Sequence, residues 1–126
     1  MKSAMDAVLE FYNKFNIPVG QSFQDRDRRQ LRMSLLVEEF NEYLEGEMLN
    51  DKVAIADALA DMVYIICGTA LEYDIPLALI FEEVQRSNMT KNPSQNREDG
   101  KILKGPDFEP PRIREIMDAF DAKKIR

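Results

Sequence analysis

The chain has 126 residues, enough for one domain around one core, and 44% of them are hydrophobic, which excludes a disordered chain. The net charge of −6, with acids spread along the sequence, argues against a nucleic-acid-binding module, which needs a basic stripe. There is no histidine, so Ser-His-Asp and Cys-His chemistry, histidine zinc sites and the commonest general base are excluded together.

The first helix is expected over residues 3–15, with Ser3 as N-cap and Ala4, Val8, Phe11 and Phe15 on one apolar stripe beside Ala7 and Tyr12. Asp6 and Glu10 interrupt this segment, so it does not read as a signal peptide. Pro18 and Gly20 mark a loop. A second helix is expected from about Asp25 to Glu47, ending at Gly46 or Asn50. Its first turn carries Arg26, Arg28, Arg29 and Arg32, read as a solvated face paired with Asp25 and Asp27. A third helix is expected from about Asp51 to Tyr73. Its longest apolar run, Met62 to Leu71, is too short to span a bilayer. It contains the single cysteine, Cys67, which reads as a small buried hydrophobe. A lone cysteine fits a reducing cytoplasm, so a cytoplasmic protein without a membrane partner is expected.

The second and third helices are apolar on nearly every side, more than a small monomer can cover, which points to a homodimer or homotetramer. Asp74 is placed to cap a fourth helix over about Pro76 to Ser87, with Leu77, Ile80, Phe81 and Val84 facing inward. Residues 88–111 are rich in glycine and proline and carry Lys91, Arg97, Lys101 and Lys104. A long loop of this kind in a compact domain is usually functional or disordered. A short last helix is expected over about Arg112 to Ala122, followed by a frayed tail from Lys123 to Arg126.

The chemistry concentrates between Glu38 and Asp61. On helices, Glu38 and Glu42 share a face, as do Asp57 and Asp61, and Glu39 is turned by about 100° from Glu38. Leu31, Leu35 and Leu49 lie on the arc of Glu38 and Glu42. Carboxylates on an apolar face must be paired, protonated or bound to a cation, and Lys52 is the only basic residue in the stretch. Oxygen donors without sulfur or imidazole suit Mg²⁺ first and Mn²⁺ second.

Four blocks in order, VEEFNEYLEGE, ADALADMVYIICGTALEYDIPL, EEVQRSNMTK and GKILKGPDFEPP, resemble the MazG-like all-α nucleoside triphosphate pyrophosphohydrolases, in their phosphoribosyl-ATP pyrophosphohydrolase-like branch. The resemblance covers roughly residues 30–113. It implies a single all-α domain over 1–126: a four-helix bundle-type fold with a long C-terminal loop and a short last helix, completed by oligomerisation. It implies Mg²⁺-dependent cleavage of a nucleoside triphosphate to the monophosphate and pyrophosphate, in nucleotide-pool housecleaning. The family's EExxE falls on Glu38, Glu39 and Glu42, with Glu39, assisted by Glu38, acting on the attacking water. Its ExxD falls on Ala58 and Asp61. Ala58 is not an acid, so Asp57 is the nearest substitute, and the number of metal ions is left open. The resemblance places Asn88, Lys91, Lys101 and Lys104 near the nucleotide. Phe11, Tyr12, Asn13 and Phe23 are further candidates to hold base and sugar. Two rival readings are a phosphoribosyl-ATP pyrophosphohydrolase of histidine biosynthesis and a non-catalytic helical dimer that binds a nucleotide.

Overall fold

The computed structural model describes residues 1–92 and 97–124, and every described regular element is a helix. Five helices follow in order: α1 (Lys2–Lys14), α2 (Arg26–Met48), α3 (Lys52–Glu72), α4 (Leu77–Asn88) and α5 (Ile113–Lys124). The chain divides into two compact units, Met1–Ile75 with α1 to α3 and Pro76–Arg126 with α4 and α5.

Local chemistry sets the helix boundaries. The side chains of Asp25 and Asp51 accept the backbone N–H of Arg28 and Ala54, each at 3.1 Å, and so start α2 and α3. The first three helices end alike. Asn16, Asn50 and Asp74 take positive φ values of 55°, 53° and 61°. The next residue in each case reaches back to a carbonyl of the last turn: Ile17 to Tyr12 at 2.9 Å, Asp51 to Gly46 at 2.9 Å and Ile75 to Ala70 at 2.8 Å. These are Schellman closures built without glycine. Asp51 therefore closes α2 with its backbone and opens α3 with its side chain. Asp74 ends α3 rather than capping α4, whose N-cap is Pro76 without a side-chain bond. Nor does Ser3 cap α1, which starts one residue earlier from Met1.

The short turn makes α2 and α3 an antiparallel hairpin. Near the turn, buried Gly46 lets the backbones approach: a Cβ there would lie 3.0 Å from Ile55 Cγ1. At the other end Arg32 donates from Nη2 to the Ile65 carbonyl at 2.8 Å and from Nε to Thr69 Oγ1 at 3.1 Å. Between these fixed points α2 presents 28, 32, 35, 39, 42 and 46 to the seam, alternating steps of four and three. On α3 the matching positions are 55, 58, 61, 65, 68 and 72.

The seam is largely polar, which corrects the solvated-arginine expectation. Glu72 is fully buried. It accepts Arg28 Nε at 2.6 Å and Nη2 at 3.0 Å, pairs with Arg32 Nη1 at 3.2 Å and accepts the Tyr12 hydroxyl. Arg32 is itself buried, while Arg26 and Arg29 stay on the exposed side. Gly68 makes the room: a Cβ would lie 2.7 Å from Arg32 Nη2 and 2.8 Å from the Tyr12 hydroxyl. Tyr12 carries α1 into this network, and Val8 packs beside it against Cys67 with Ala4, Met5 and Leu71. The buried stripe of α1 is thus Val8 and Tyr12, while Phe11 and Phe15 are 40% and 54% exposed. Pairing of Arg28 and Arg32 with Glu72 also fixes the rotation of α2, leaving Leu31 and Leu49 exposed rather than beside the acids.

Gly20 and Ser22, in the loop after α1, donate to the carbonyls of Leu71 and Glu72 at 2.9 and 3.1 Å, satisfying the end of α3. By length and composition the whole of α3 reaches the size of a membrane span, longer than the Met62–Leu71 run alone. In this unit its Asp61 and Glu72 face α2.

In the second unit, Glu83 of α4 accepts the Arg112 N–H at 2.7 Å at the start of α5 and holds Arg86 at 2.8 Å. Arg86 in turn pairs with Glu109 at 3.0 Å. The hydrogen bonds from Arg86 and the Arg112 N–H pull the Glu83 carboxyl down to about 2. The loop after α4 is braced by Ser87, which donates to the Glu109 carbonyl at 2.7 Å, and by Thr90, which accepts the Glu109 N–H at 2.8 Å. Phe81 is 52% exposed and not turned inward. α5 continues to Lys124, so the tail is helical where fraying is expected, and 125–126 lie outside the described residues, as does Pro93.

Burial works against ionised Glu72, but the hydrogen bonds from Arg28 and Tyr12 and the charges of both arginines outweigh it and hold its pKa below the ordinary value. The folded state thus binds this proton less readily than the unfolded chain. The resulting stability is present above the ordinary glutamate range and is lost as pH falls through the folded pKa. Urea unfolding should show Glu72→Gln destabilised by about 3–5 kcal/mol, because the buried Arg32 and the partly buried Arg28 lose their counter-charge. Its stability should decline less steeply in acid than that of the parent chain. Gly68→Ala should cost about 1–3 kcal/mol through overpacking.

Candidate functional site

One turn beyond Leu35 the seam changes sign. Glu39 and Glu42 of α2 and Asp61 of α3 each place a carboxylate oxygen within 4.8 Å of the others. The hairpin register produces this convergence, since 39 and 42 occupy successive seam positions of α2 and 61 faces them. Glu39 and Asp61 are half-buried and Glu42 is exposed. The buried Glu39 Oε2 has no hydrogen-bond partner. Among the described residues no lysine or arginine pairs with any of the three.

Three carboxylates this close cannot all ionise cheaply. Sharing a proton with Glu42 pushes the Glu39 carboxyl up to about 7, assisted by burial and by the charges of Glu42, Asp61 and Asp57. A hard divalent cation would relieve the same repulsion, and the donor set of carboxylate oxygens with an orphaned buried oxygen fits one. Glu39, Glu42 and Asp61 are the residues that could hold it.

The grouping differs from the sequence expectation in its pairing. Glu39, not Glu38, shares the site with Glu42, and Glu38 is exposed outside the cluster. Asp57 is exposed, yet near enough for its charge to raise Glu39. Ala58 is only 1% exposed and occupies a seam position one turn before Asp61. A small residue there is part of the helix packing.

The other named residues come together in the second unit. Asn88, Lys91, Lys101 and Lys104 all line a cavity of about 620 Å³. Arg97 joins them, and no carboxylate is in the lining. Val84 and Phe108 supply apolar wall, with Lys104 Nζ 4.9 Å from the Phe108 ring centroid. Such a cavity suits an anion with an apolar part. Arg97 is an addition to the expected set. Its signal was its place in the same basic segment, although its guanidinium also pairs with Asp99 at 2.8 Å.

The raised Glu39 carboxyl gives a test. Between its ordinary value of 4.5 and about 7 the folded, metal-free chain holds a proton that the unfolded chain has lost. Metal-free stability should therefore fall as pH rises through that window. Titration with Mn²⁺ or Mg²⁺ by calorimetry in buffers of different ionisation enthalpy should show close to one proton released per chain at pH 6, and affinity weakening below pH 7. Glu39→Gln should abolish both the release and the pH-dependent loss of stability while keeping the fold.

Comparison with curated proteins gives no match. A scan against family models matches residues 10–88 to phosphoribosyl-ATP pyrophosphohydrolase. That span contains the three helices of the first unit from Glu10 onward, the carboxylate cluster and all of α4. With most of its length matched and with the helical architecture and the acidic seam in place, the chain belongs to the phosphoribosyl-ATP pyrophosphohydrolase family, within the MazG-like pyrophosphohydrolases.

Proposed function

We propose that the protein hydrolyses a nucleoside triphosphate to the monophosphate and pyrophosphate, using a divalent cation, Mg²⁺ first and Mn²⁺ second. The observation that carries this reading is the convergence of Glu39, Glu42 and Asp61 within 4.8 Å without a basic partner, in a pyrophosphohydrolase family member. Glu39, Glu42 and Asp61 hold the cation, with Asp57 and Glu38 as supporting acids. When bound, the cation offsets phosphate charge and makes a bound water more acidic. Glu39 orients the attacking water and takes its proton, and Glu38 is its alternate. The water oxygen bonds to phosphorus, the bridging P–O bond breaks, and pyrophosphate leaves with the bonding pair. Asn88, Lys91, Lys101 and Lys104 are assigned to the phosphates, whose charge they offset.

The family description itself favours a second reading, in which the substrate is phosphoribosyl-ATP. Both readings share the reaction and differ in what the nucleotide carries. A second copy of the chain is also part of the proposal, as a homodimer or homotetramer. Val37, Phe40 and Leu44 of α2 and Val53, Leu59, Val63 and Ile66 of α3 are each at least 41% exposed, an apolar surface of the kind that oligomers cover. The proposed setting is the cytoplasm, with no membrane or nucleic-acid partner.

Pyrophosphate release should be measured across ribo- and deoxynucleoside triphosphates and phosphoribosyl-ATP, with and without Mg²⁺. Mg²⁺-dependent release is expected, and the ranking separates housecleaning from histidine biosynthesis. Glu42→Gln and Asp61→Asn should each lower kcat/KM by on the order of 10²-fold or more with the fold intact. Nucleotide and metal binding without any release would support a binding module instead. Sedimentation should give a dimer or tetramer, and a monomer at working concentration would remove the subunit proposal.

A further inference from the structure

We propose that Thr90 is a positioning residue of the basic cavity, an inference that rests on reading that cavity as a phosphate site. Thr90 lies outside the lining and acts through Glu109. Residues 109–111 read Glu-Pro-Pro, and proline has no N–H, so Glu109 carries the one backbone donor of that stretch. Thr90 Oγ1 accepts it at 2.8 Å. The Thr90 hydroxyl donates in turn to the Ser87 carbonyl at 2.7 Å, which fixes the direction of its oxygen. Ser87, only 2% exposed, donates to the Glu109 carbonyl at 2.7 Å, and Arg86 pairs with the Glu109 carboxylate at 3.0 Å. The next backbone donor, the Arg112 N–H, goes to Glu83 at 2.7 Å. Both peptide groups of Glu109 and its side chain are thus fastened to residues 86–90.

This fastening sets the cavity walls. Phe108 and Pro111, on either side of the fastened segment, line the cavity, and so do Ser87, Asn88 and Lys91 at the end of α4 and just beyond it. Holding Glu109 against residues 86–90 therefore fixes how far apart these two walls stand. The wall from Ile102 to Lys104 is set from within the loop. Asn92 donates its N–H to the Leu103 carbonyl at 3.3 Å, and Gly105 approaches so closely that a Cβ there would lie 2.6 Å from Asn92 Cβ. Walls ordered in advance spare an anion the cost of ordering them, which raises its affinity. The other fasteners are less clean carriers of this role. The Arg86–Glu109 pair is largely solvated, with side chains 39% and 57% exposed, so it contributes little. Ser87 lines the cavity and is placed to touch an anion directly. Thr90 joins the two walls while staying out of the lining.

The test is calorimetric binding of inorganic pyrophosphate without metal, repeated over a range of salt. The parent chain should bind it, and Lys101→Ala and Lys104→Ala should each weaken binding and flatten its salt dependence. Thr90→Val keeps the size and branching of the side chain but neither accepts nor donates. It should weaken pyrophosphate binding about 5- to 30-fold and leave the salt dependence unchanged, because the same cations meet the anion. Thr90→Ser should bind within about twofold of the parent chain. Thr90→Ala removes the same hydroxyl with less bulk and should match Thr90→Val, and it decides the matter if the valine variant does not fold. Hydroxyl-free variants that bind as the parent does, even with urea unfolding shifted, overturn the positioning role. So does a Thr90→Ser variant that binds no better than Thr90→Val, or a salt dependence that flattens as it does in the lysine variants. A parent chain that binds no pyrophosphate, or binds it equally well after both lysine changes, removes the phosphate reading of the cavity and the role of Thr90 with it.

Discussion

Glu72 has no exposed surface and still carries its charge, because two arginines and a tyrosine from the other two helices of its unit point at it. Removing Glu72 leaves the buried Arg32 guanidinium without its counter-charge, and removing both arginines leaves a fully buried carboxylate uncompensated. Replacing the whole set by apolar side chains could match its stability, so what the charges add is selectivity for one packing. α2 has one rotation and one register in which both guanidinium groups reach Glu72. That register is also the one in which Glu39 and Glu42 meet Asp61. The ionic contacts at one end of the hairpin thus position the acids farther along it.

The two charged clusters differ in how they are satisfied. Glu72 is neutralised from within the chain and holds a low pKa. Glu39, in the same seam, meets other acids and no basic partner among the described residues, and its carboxyl is pushed up to about 7. The first is a finished structural element. The second lacks a cationic partner among the described residues, and its carboxylate oxygens fit a hard divalent cation. The cavity of the second unit is lined by positive groups instead, one of which, Arg97, is paired with Asp99.

Much of this was legible in the sequence because the signals are local. Asp25 and Asp51 before helical runs, and Asn50 after one, announce boundaries through short-range hydrogen bonding, and the structure uses them so. The motif blocks pointed to Glu39, Glu42 and Asp61 among other acids, and the structure brings these three together, while Asn88, Lys91, Lys101 and Lys104 line one cavity. The inner face of α2 was not legible. Hydrophobic periodicity assumes that the buried stripe is the apolar one, whereas here Arg32, Glu39 and Gly46 face inward while Val37, Leu44 and Met48 face out. Glu72 lies thirty-three residues beyond Glu39 and gives no local hint that it fixes the rotation. The same inversion explains why Phe11 and Phe15 read as core and emerge at the surface.

Asp51, which ends one helix with its backbone and begins the next with its side chain, has a consequence for how this hairpin can vary over evolutionary time. Each residue gained or lost at that turn would rotate one helix by about 100° and shift it by 1.5 Å against the other. A single insertion would therefore carry Asp61 off the seam and pull Arg32 from Glu72 together. The length of this connection is therefore not free to drift. Descendants of the chain should record their history in substitutions here, and keep their insertions for the loops before α2 and after α4.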